Sequence, residues 1–268
     1  MLLNPPGGMH SIGMGLLNSF VEPSGPAWNI DAASTWNLPI SAAEWTAFNA
    51  AKGLSTANPD YLWLCNEPSG NLALAIGSSF TLVATASPQY NQTTAYFTRP
   101  GVGFTDNSSM GFQAASGVGY NPATESFFWL VVATIRTEPT ALRIFYGQNP
   151  GGGTNQCRML FNPSAGNNRM QIQWQGGGST VASDHGVGAH IFGIKGDRTN
   201  VISAGYSELV KYAAANAALT DGQKGIGLAI TPDVVIHYMA CWKGANAEAF
   251  SDANTKALYQ AIGPTIPW

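Results

Sequence analysis

From about residue 60 onward, apolar residues tend to recur at every second position in short runs, the period of a β-strand rather than of a helix. The cleanest instance is Met170-Gln171-Ile172-Gln173-Trp174-Gln175, which alternates apolar and amide side chains as a half-buried strand must. Residues 127–135 form a long apolar β run, with Phe127, Trp129, Val131, Ala133 and Ile135 on one face. Further strands are predicted at 61–64, 80–85, 141–146, 190–195, 200–204, 208–212 and 234–242. Gly176-Gly177-Gly178 closes the amide strand, and Gly196-Asp197 falls in the connection between 190–195 and 200–204. Residues 251–262 predict a short closing helix, with Gly263 and Pro264 as stop signals. Many short strands with Gly- and Asn-rich turns, and no alternating helices, describe an all-β fold. The expected architecture is a two-sheet antiparallel jelly-roll sandwich over residues 60–268.

Residues 1–59 read differently. Pro5, Pro6, Pro23, Pro26, Pro39 and Pro59 remove ladder donors, so this stretch is expected to be an irregular N-terminal arm and not central sheet. One short helix is predicted inside it: Ser41-Ala42-Ala43-Glu44 is a capping box, and Gly53 can end the helix. Leu16, Leu17, Phe20, Trp28 and Trp36 make the arm too apolar for a solvated tail. They must cover either this chain's own sandwich or a neighbouring subunit.

Composition sharpens the picture at one point. Charged residues are 10% of the chain, against about 25% in ordinary soluble domains, with net charge −3. The exterior must therefore be built from neutral polar residues, as suits a surface that meets neighbouring molecules. The 12 Lys and Arg are scattered, which argues against nucleic acid as a partner. No stretch has the roughly 18 uninterrupted apolar residues of a membrane span, so no membrane insertion is expected. The first residues lack the pattern of a secretory signal. Three cysteines, Cys65, Cys157 and Cys241, sit in apolar contexts and read as buried thiols.

The order of segments resembles the laminin-G-like branch of the concanavalin A-like lectin-glucanase sandwiches over about residues 60–262. His190-Ile191-Phe192-Gly193-Ile194-Lys195-Gly196-Asp197 is similar to the family's "H-h-a-v-t-y-D-G" strand and turn. Residues 200–210 resemble its "l-y-v-n-G-e-l-v" hairpin, and Gly225-Ile226-Gly227 its "l-x-i-G" strand. Residues 234–242, then Ala249-Phe250-Ser251 and Ala257-Leu258-Tyr259, look like its closing strand and helix. The chain departs in two places: Gly-Asp replaces Asp-Gly, and the turn near Tyr206-Ser207 lacks the family's glycine. Sandwiches of this type with N-terminal arms look like phage and virus decoration, fibre and tail proteins.

Glycosidases on such folds need two carboxylates about 5–9 Å apart. No closely spaced acidic run supplies them: Glu125, Glu138, Glu208, Asp184, Asp197 and Asp233 stand apart in sequence. The chain is accordingly expected to be non-enzymatic. Asp184-His185 reads as a polar loop, and His190 and His237 as sheet histidines. Calcium would require hard oxygen ligands in a loop, for which Asp106, Asn107 and Asp184 are the candidates; no other cofactor is implied. Gln171, Gln173 and Gln175 share one strand face. They could line a glycan groove, meet another subunit's amides or simply be solvated. Asn91-Gln92-Thr93 and Asn107-Ser108-Ser109 fit the glycosylation sequon.

The expected function is a structural surface protein of a large assembly, a phage virion component. The arm would be its anchor, and copies of itself, other particle proteins and glycans its partners. The alternatives are a stand-alone carbohydrate-binding module, extracellular or at a cell surface, and, behind it, a glycoside hydrolase.

Overall fold

The computed structural model describes residues 36–106, 108, 110–148, 157–162, 169–174, 177–184, 186–198, 202–207, 210–215, 219–227 and 231–263. Candidate arm residues Leu16, Leu17, Phe20 and Trp28 lie outside them, as do Asn107 and Gln175.

Among the described residues the strands form two antiparallel sheets, of nine and seven strands. The first is centred on β7 (Phe127–Ile135), flanked by β12 (Gly188–Asp197) and β16 (Val234–Lys243). Beyond β12 lie β13 (Ile202–Ser207) and β14 (Val210–Ala215), a hairpin that begins two residues later than the sequence pattern suggests. The far side of β16 is shared end to end by β1 (Tyr61–Trp63) and β5 (Phe97–Phe104). Short β2 (Leu74–Ile76) pairs with β1, and β4 (Gln89–Thr94) folds back on β5. The second sheet runs β11 (Gly177–Asp184), β10 (Arg169–Trp174), β9 (Cys157–Asn162), β8 (Arg143–Gln148), β15 (Lys224–Ile226), β6 (Gly111–Ala114), β3 (Val83–Thr85).

The two sheets pack face to face, as the alternation in β7 predicts. Phe127, Trp129, Val131, Ala133 and Ile135 all join one core with Phe192, Ile194, Met239 and Cys241 of the same sheet. Phe112, Met159, Phe161 and Ile226 close that core from the other sheet. Cys65, Cys157 and Cys241 are buried in it as free thiols, and burial pushes all three up, keeping them protonated and unreactive.

The intervening residues of β7 do not face water. Phe128, Leu130 and Val132 are equally buried, beneath a third layer. That layer is made by Trp36, Leu38, α1 (Ala42–Lys52), α2 (Gly244–Glu248) and α3 (Asp252–Ile262). Trp36, the arm residue within view, is buried against Phe97 and so covers its own sandwich. Ser41 caps α1 by accepting from Glu44 N, and Gly53 ends it at φ 64°. The Glu44 carboxylate returns to Ile40 N, one residue earlier than a standard capping box.

Two glycine readings are corrected by the register. Gly177 and Gly178 open β11 opposite Trp174 and Gln173, while Gly196 continues β12 opposite Phe127 and Asp197 opposite Ile202. Gly196 must stay bare because a Cβ there would lie 2.5 Å from the Phe127 ring. Gly193 is bare for a parallel reason: Tyr259 of α3 lies over it, and Phe128 Cε2 would be 3.0 Å from a Cβ. Gly193→Ala is expected to lift α3 and cost about 1–3 kcal/mol, read as a lower denaturation midpoint.

Candidate functional site

The strand pairing places the amide residues of β10. Met170, Ile172 and Trp174 are register partners of Phe161, Met159 and Cys157, which belong to the inter-sheet core. Gln171 and Gln173 pair instead with Leu160 and Arg158, on the alternate face of β9. Asp106 accepts two hydrogen bonds from Arg143, Nε at 2.5 Å and Nη2 at 2.7 Å, so a cation there would compete with a guanidinium. Asp184 ends β11 opposite Arg169. Among the described residues no group of three or more His, Cys, Asp or Glu is gathered to hold a metal. No described helix is long and apolar enough to cross a membrane.

The charged side chains serve two ends of the sandwich. At the Phe127 end of β7, the segment 115–126 is tied down by cations from both sheets. Lys224 donates to Val118 O at 3.2 Å and Lys243 to Gly119 O at 3.1 Å, while Arg198 donates to Pro122 O. Lys224 is fully buried and also pairs with Asp221 at 2.6 Å. Asp221 in turn accepts from Ser116 Oγ at 3.0 Å and Gly117 N at 2.5 Å. Close by, Lys195 donates to Phe250 O at 2.6 Å and pairs with Asp197 at 3.1 Å. Glu125 accepts from Asn121 N at 2.9 Å. Each of these groups is spent on holding loops, helices and sheets together.

The other end, roughly 26 Å away along β7, is built differently. Arg136 follows Ile135 and organises a polar network. Its Nε donates to Asp233 Oδ1 at 2.8 Å, and its terminal nitrogens reach Gln92 Oε1 at 3.3 Å, Gln89 Oε1 at 3.1 Å and Phe104 O at 2.8 Å. Thr137 Oγ1 adds a bond to Asp233 Oδ2 at 2.7 Å. His237 sits at a bulge in β16. It is buried against Phe97, ring centroids 4.0 Å apart, with Nε2 3.0 Å from Thr134 Oγ1. This stack and the contact between Thr94 and Thr134 bring the β4–β5 hairpin across the outer face of the first sheet.

At its tip that hairpin presents Tyr96, 39% exposed, beside the segment Gly186-Val187-Gly188 that enters β12. A Cβ on Gly188 would lie 3.6 Å from His190 Nε2 and 3.7 Å from Tyr96 Oη. A Cβ on Gly186 would lie 3.6 Å from Glu138 Oε1. A tyrosine, a histidine and a carboxylate from three separated segments thus flank a floor without side chains, and Val187 beside it is 56% exposed. His190 Nε2 lies 2.9 Å from Gly186 O, which can only accept, so this nitrogen carries the hydrogen and the ring braces the floor. An aromatic face, an ionisable acceptor and bare backbone suit a polyhydroxylated ligand: the ring covers apolar C–H edges while polar groups pair with hydroxyls.

In the sequence Glu138 stands isolated, His190 falls in a predicted strand, and nothing local marks Tyr96. No short-range pattern joins them; the register of β7 with β12 and the fold-over of β4 do. Gly186 and Gly188, flanking a lone valine, are the one local signal.

No protein-family model and no curated protein sequence matches the chain. Solved structures do. A Trypanosoma rangeli sialidase in complex with the inhibitor DANA superposes with TM-score 0.57 at 11% identity, covering 79% of this chain and 34% of that one. The same organism's sialidase with sialic acid gives TM-score 0.55 at 11% identity, covering 76% of this chain and 33% of that one. The binding domain of botulinum neurotoxin DC, in complex with rat synaptotagmin II, gives TM-score 0.51 at 13% identity over 77% of this chain and 52% of that one. The chain spans about a third of the sialidases' length and half of the toxin domain's. These similarities establish a lectin-like β-sandwich fold. They also correct the expectation of a non-enzymatic chain: the sialidases among these neighbours are enzymes, so the fold gives no ground for that exclusion.

Proposed function

We propose that this chain is a carbohydrate-recognising sandwich whose binding spot is the cradle of Tyr96, Glu138 and His190 over Gly186-Val187-Gly188. The observation that carries the reading is that Glu138 lies 3.6 Å from the position a Cβ would take on Gly186, and His190 and Tyr96 lie 3.6 and 3.7 Å from that on Gly188, two residues on. The lectin-like fold supports it, and so does an exterior poor in charge.

Two variants test the cradle. Tyr96→Ala removes the exposed ring and is expected to weaken glycan binding about tenfold or more. Gly186→Leu fills the floor beside Glu138, and is expected to abolish binding. Titration calorimetry against a glycan panel reads both, with circular dichroism showing an unchanged fold. Binding that survives both changes overturns the cradle.

The setting we propose is the outside of a phage particle, as a laminin-G-like module carried on an arm. A chain with only 10% charged residues supports it, as suits a surface that meets neighbouring molecules. Deleting residues 1–35 is expected to prevent incorporation into particles while leaving glycan binding intact. Normal incorporation of the shortened chain would refute that role.

A further inference from the structure

We propose that Thr94 is the latch of the cradle: its hydroxyl ties the hairpin tip that carries Tyr96 to the sheet beneath, so that the ring is held in place before a glycan arrives. Thr94 is thereby a positioning residue, acting through Tyr96. This rests on the reading that the cradle binds glycans.

The turn itself creates the need. Thr94 and Phe97 are register partners, which leaves Ala95 and Tyr96 as a two-residue hairpin loop. Such loops favour glycine, asparagine or aspartate at positive φ, because those turns match the twist of the flanking strands. Neither Ala95 nor Tyr96 takes a positive φ. Turn chemistry therefore does not secure this tip, and a side chain supplies what the backbone lacks. Thr94 Oγ1 accepts from Tyr96 N at 3.3 Å, the local bond by which a threonine closes a turn two residues on.

The same oxygen reaches down into the first sheet. It lies 3.4 Å from Thr134 Oγ1 of β7, which lies 3.0 Å from His237 Nε2 of β16. A hydroxyl has one hydrogen and two lone pairs, so Thr94 can serve Tyr96 and Thr134 at once. The base of this chain of contacts is closely packed. Thr134 and His237 are buried, and the imidazole stacks on Phe97 with centroids 4.0 Å apart. Gly101 is held bare against it, since a Cβ there would lie 3.0 Å from His237 Nδ1. Polar contacts thus run without a break from a buried imidazole to the backbone of the exposed tyrosine. A tip left loose would have to be ordered by the glycan, at a cost in affinity; a latched tip spares that cost.

The test uses the full chain, with amide hydrogen exchange and with calorimetry against lactose, maltose, cellobiose and sialyllactose. Thr94→Val keeps the shape and β-branching but loses the hydroxyl. It is expected to speed exchange of the Tyr96 amide about tenfold or more, with the amides of β7 unchanged, and to weaken glycan binding several-fold. Thr94→Ser restores the hydroxyl and is expected to return both readouts to within about twofold of the parent. In a Tyr96→Ala chain, Thr94→Val is expected to cause no further loss of binding, because the latch acts through that ring. Unchanged Tyr96 exchange in Thr94→Val overturns the latch. So does equal loss in the valine and serine variants, or a full additional loss in the Tyr96→Ala chain. If the parent binds none of the four sugars while Thr94→Val still frees the Tyr96 amide, the glycan reading falls and the tie between Thr94 and the tip stands.

Discussion

Trp242→Ala is expected to lower the unfolding free energy by about 3–5 kcal/mol, the range for emptying a buried tryptophan site. Trp242 is fully buried on the outer face of β16. Its ring meets Trp45 of α1 edge-on at 5.5 Å, Phe250 at 4.8 Å and Phe128 at 5.5 Å. Its Nε1 donates to Ala57 O at 2.9 Å. One side chain thus joins the first helix, the segment after it, the central strand and the loop before α3. Alanine would leave a cavity bordered by four elements that cannot all collapse into it, and an orphaned carbonyl. Urea unfolding should show a lower midpoint at nearly constant slope if the helical layer belongs to the cooperative unit. A loss under about 1 kcal/mol, or a sharply reduced slope, would mean that the helices peel away separately.

That third layer is also where the sequence was read too narrowly. Alternation in the amide strand and in residues 127–135 led directly to two antiparallel sheets and to the correct inward face of β7. But residues 127–135 and 234–242 are apolar at nearly every position, and an uninterrupted run signals burial on both faces. The second face is not assigned by the sequence because the arm's apolar residues fit equally well over this chain's own sandwich or over a neighbouring subunit. Strands such as Gln89–Thr94 and Phe97–Phe104 escaped for another reason. Their exposed or turned residues carry Thr, Gln, Pro and Gly, so no period of two survives. The bulge at His237 likewise shifts β16 by one residue, so that Ile236 and Met239 both point inward. The cradle was illegible because it depends on that topology: Tyr96, Glu138 and His190 become neighbours only after three segments are folded over one another.

Lys224→Ala is expected to cost about 3–5 kcal/mol, the penalty for removing one partner of a buried ion pair. Lys224 has no exposed surface, and its ammonium lies 2.6 Å from Asp221, 3.2 Å from Val118 O and 5.2 Å from the Tyr120 ring centre. Its loss would leave Asp221 and a carbonyl facing a void, and would free the segment that Lys243 and Arg198 also hold. Burial alone would push the Asp221 carboxyl up. The hydrogen bonds from Lys224, Gly117 N and Ser116 together hold it below the usual carboxylate range. A depressed folded value means that this contribution is complete above about pH 4, the unfolded aspartate range, and is lost as pH falls through the folded value. Chemical denaturation followed across acid pH should therefore show a shallower acid loss in Lys224→Ala than in the parent. An identical acid profile would show that the pair does not couple to folding.

Asn37 N donates to Ile262 O at 2.8 Å, its side chain reaches Ala261 O at 3.2 Å, and Trp36 lies against Gly263. The module therefore opens and closes at a single point, like a loop of rope cleated at one post. A few glycine and serine residues should suffice to splice 263 to 36. New termini could then be cut elsewhere in a circular permutant, or the whole unit could ride as a cassette in a surface loop of a host protein with that loop's stems undisturbed.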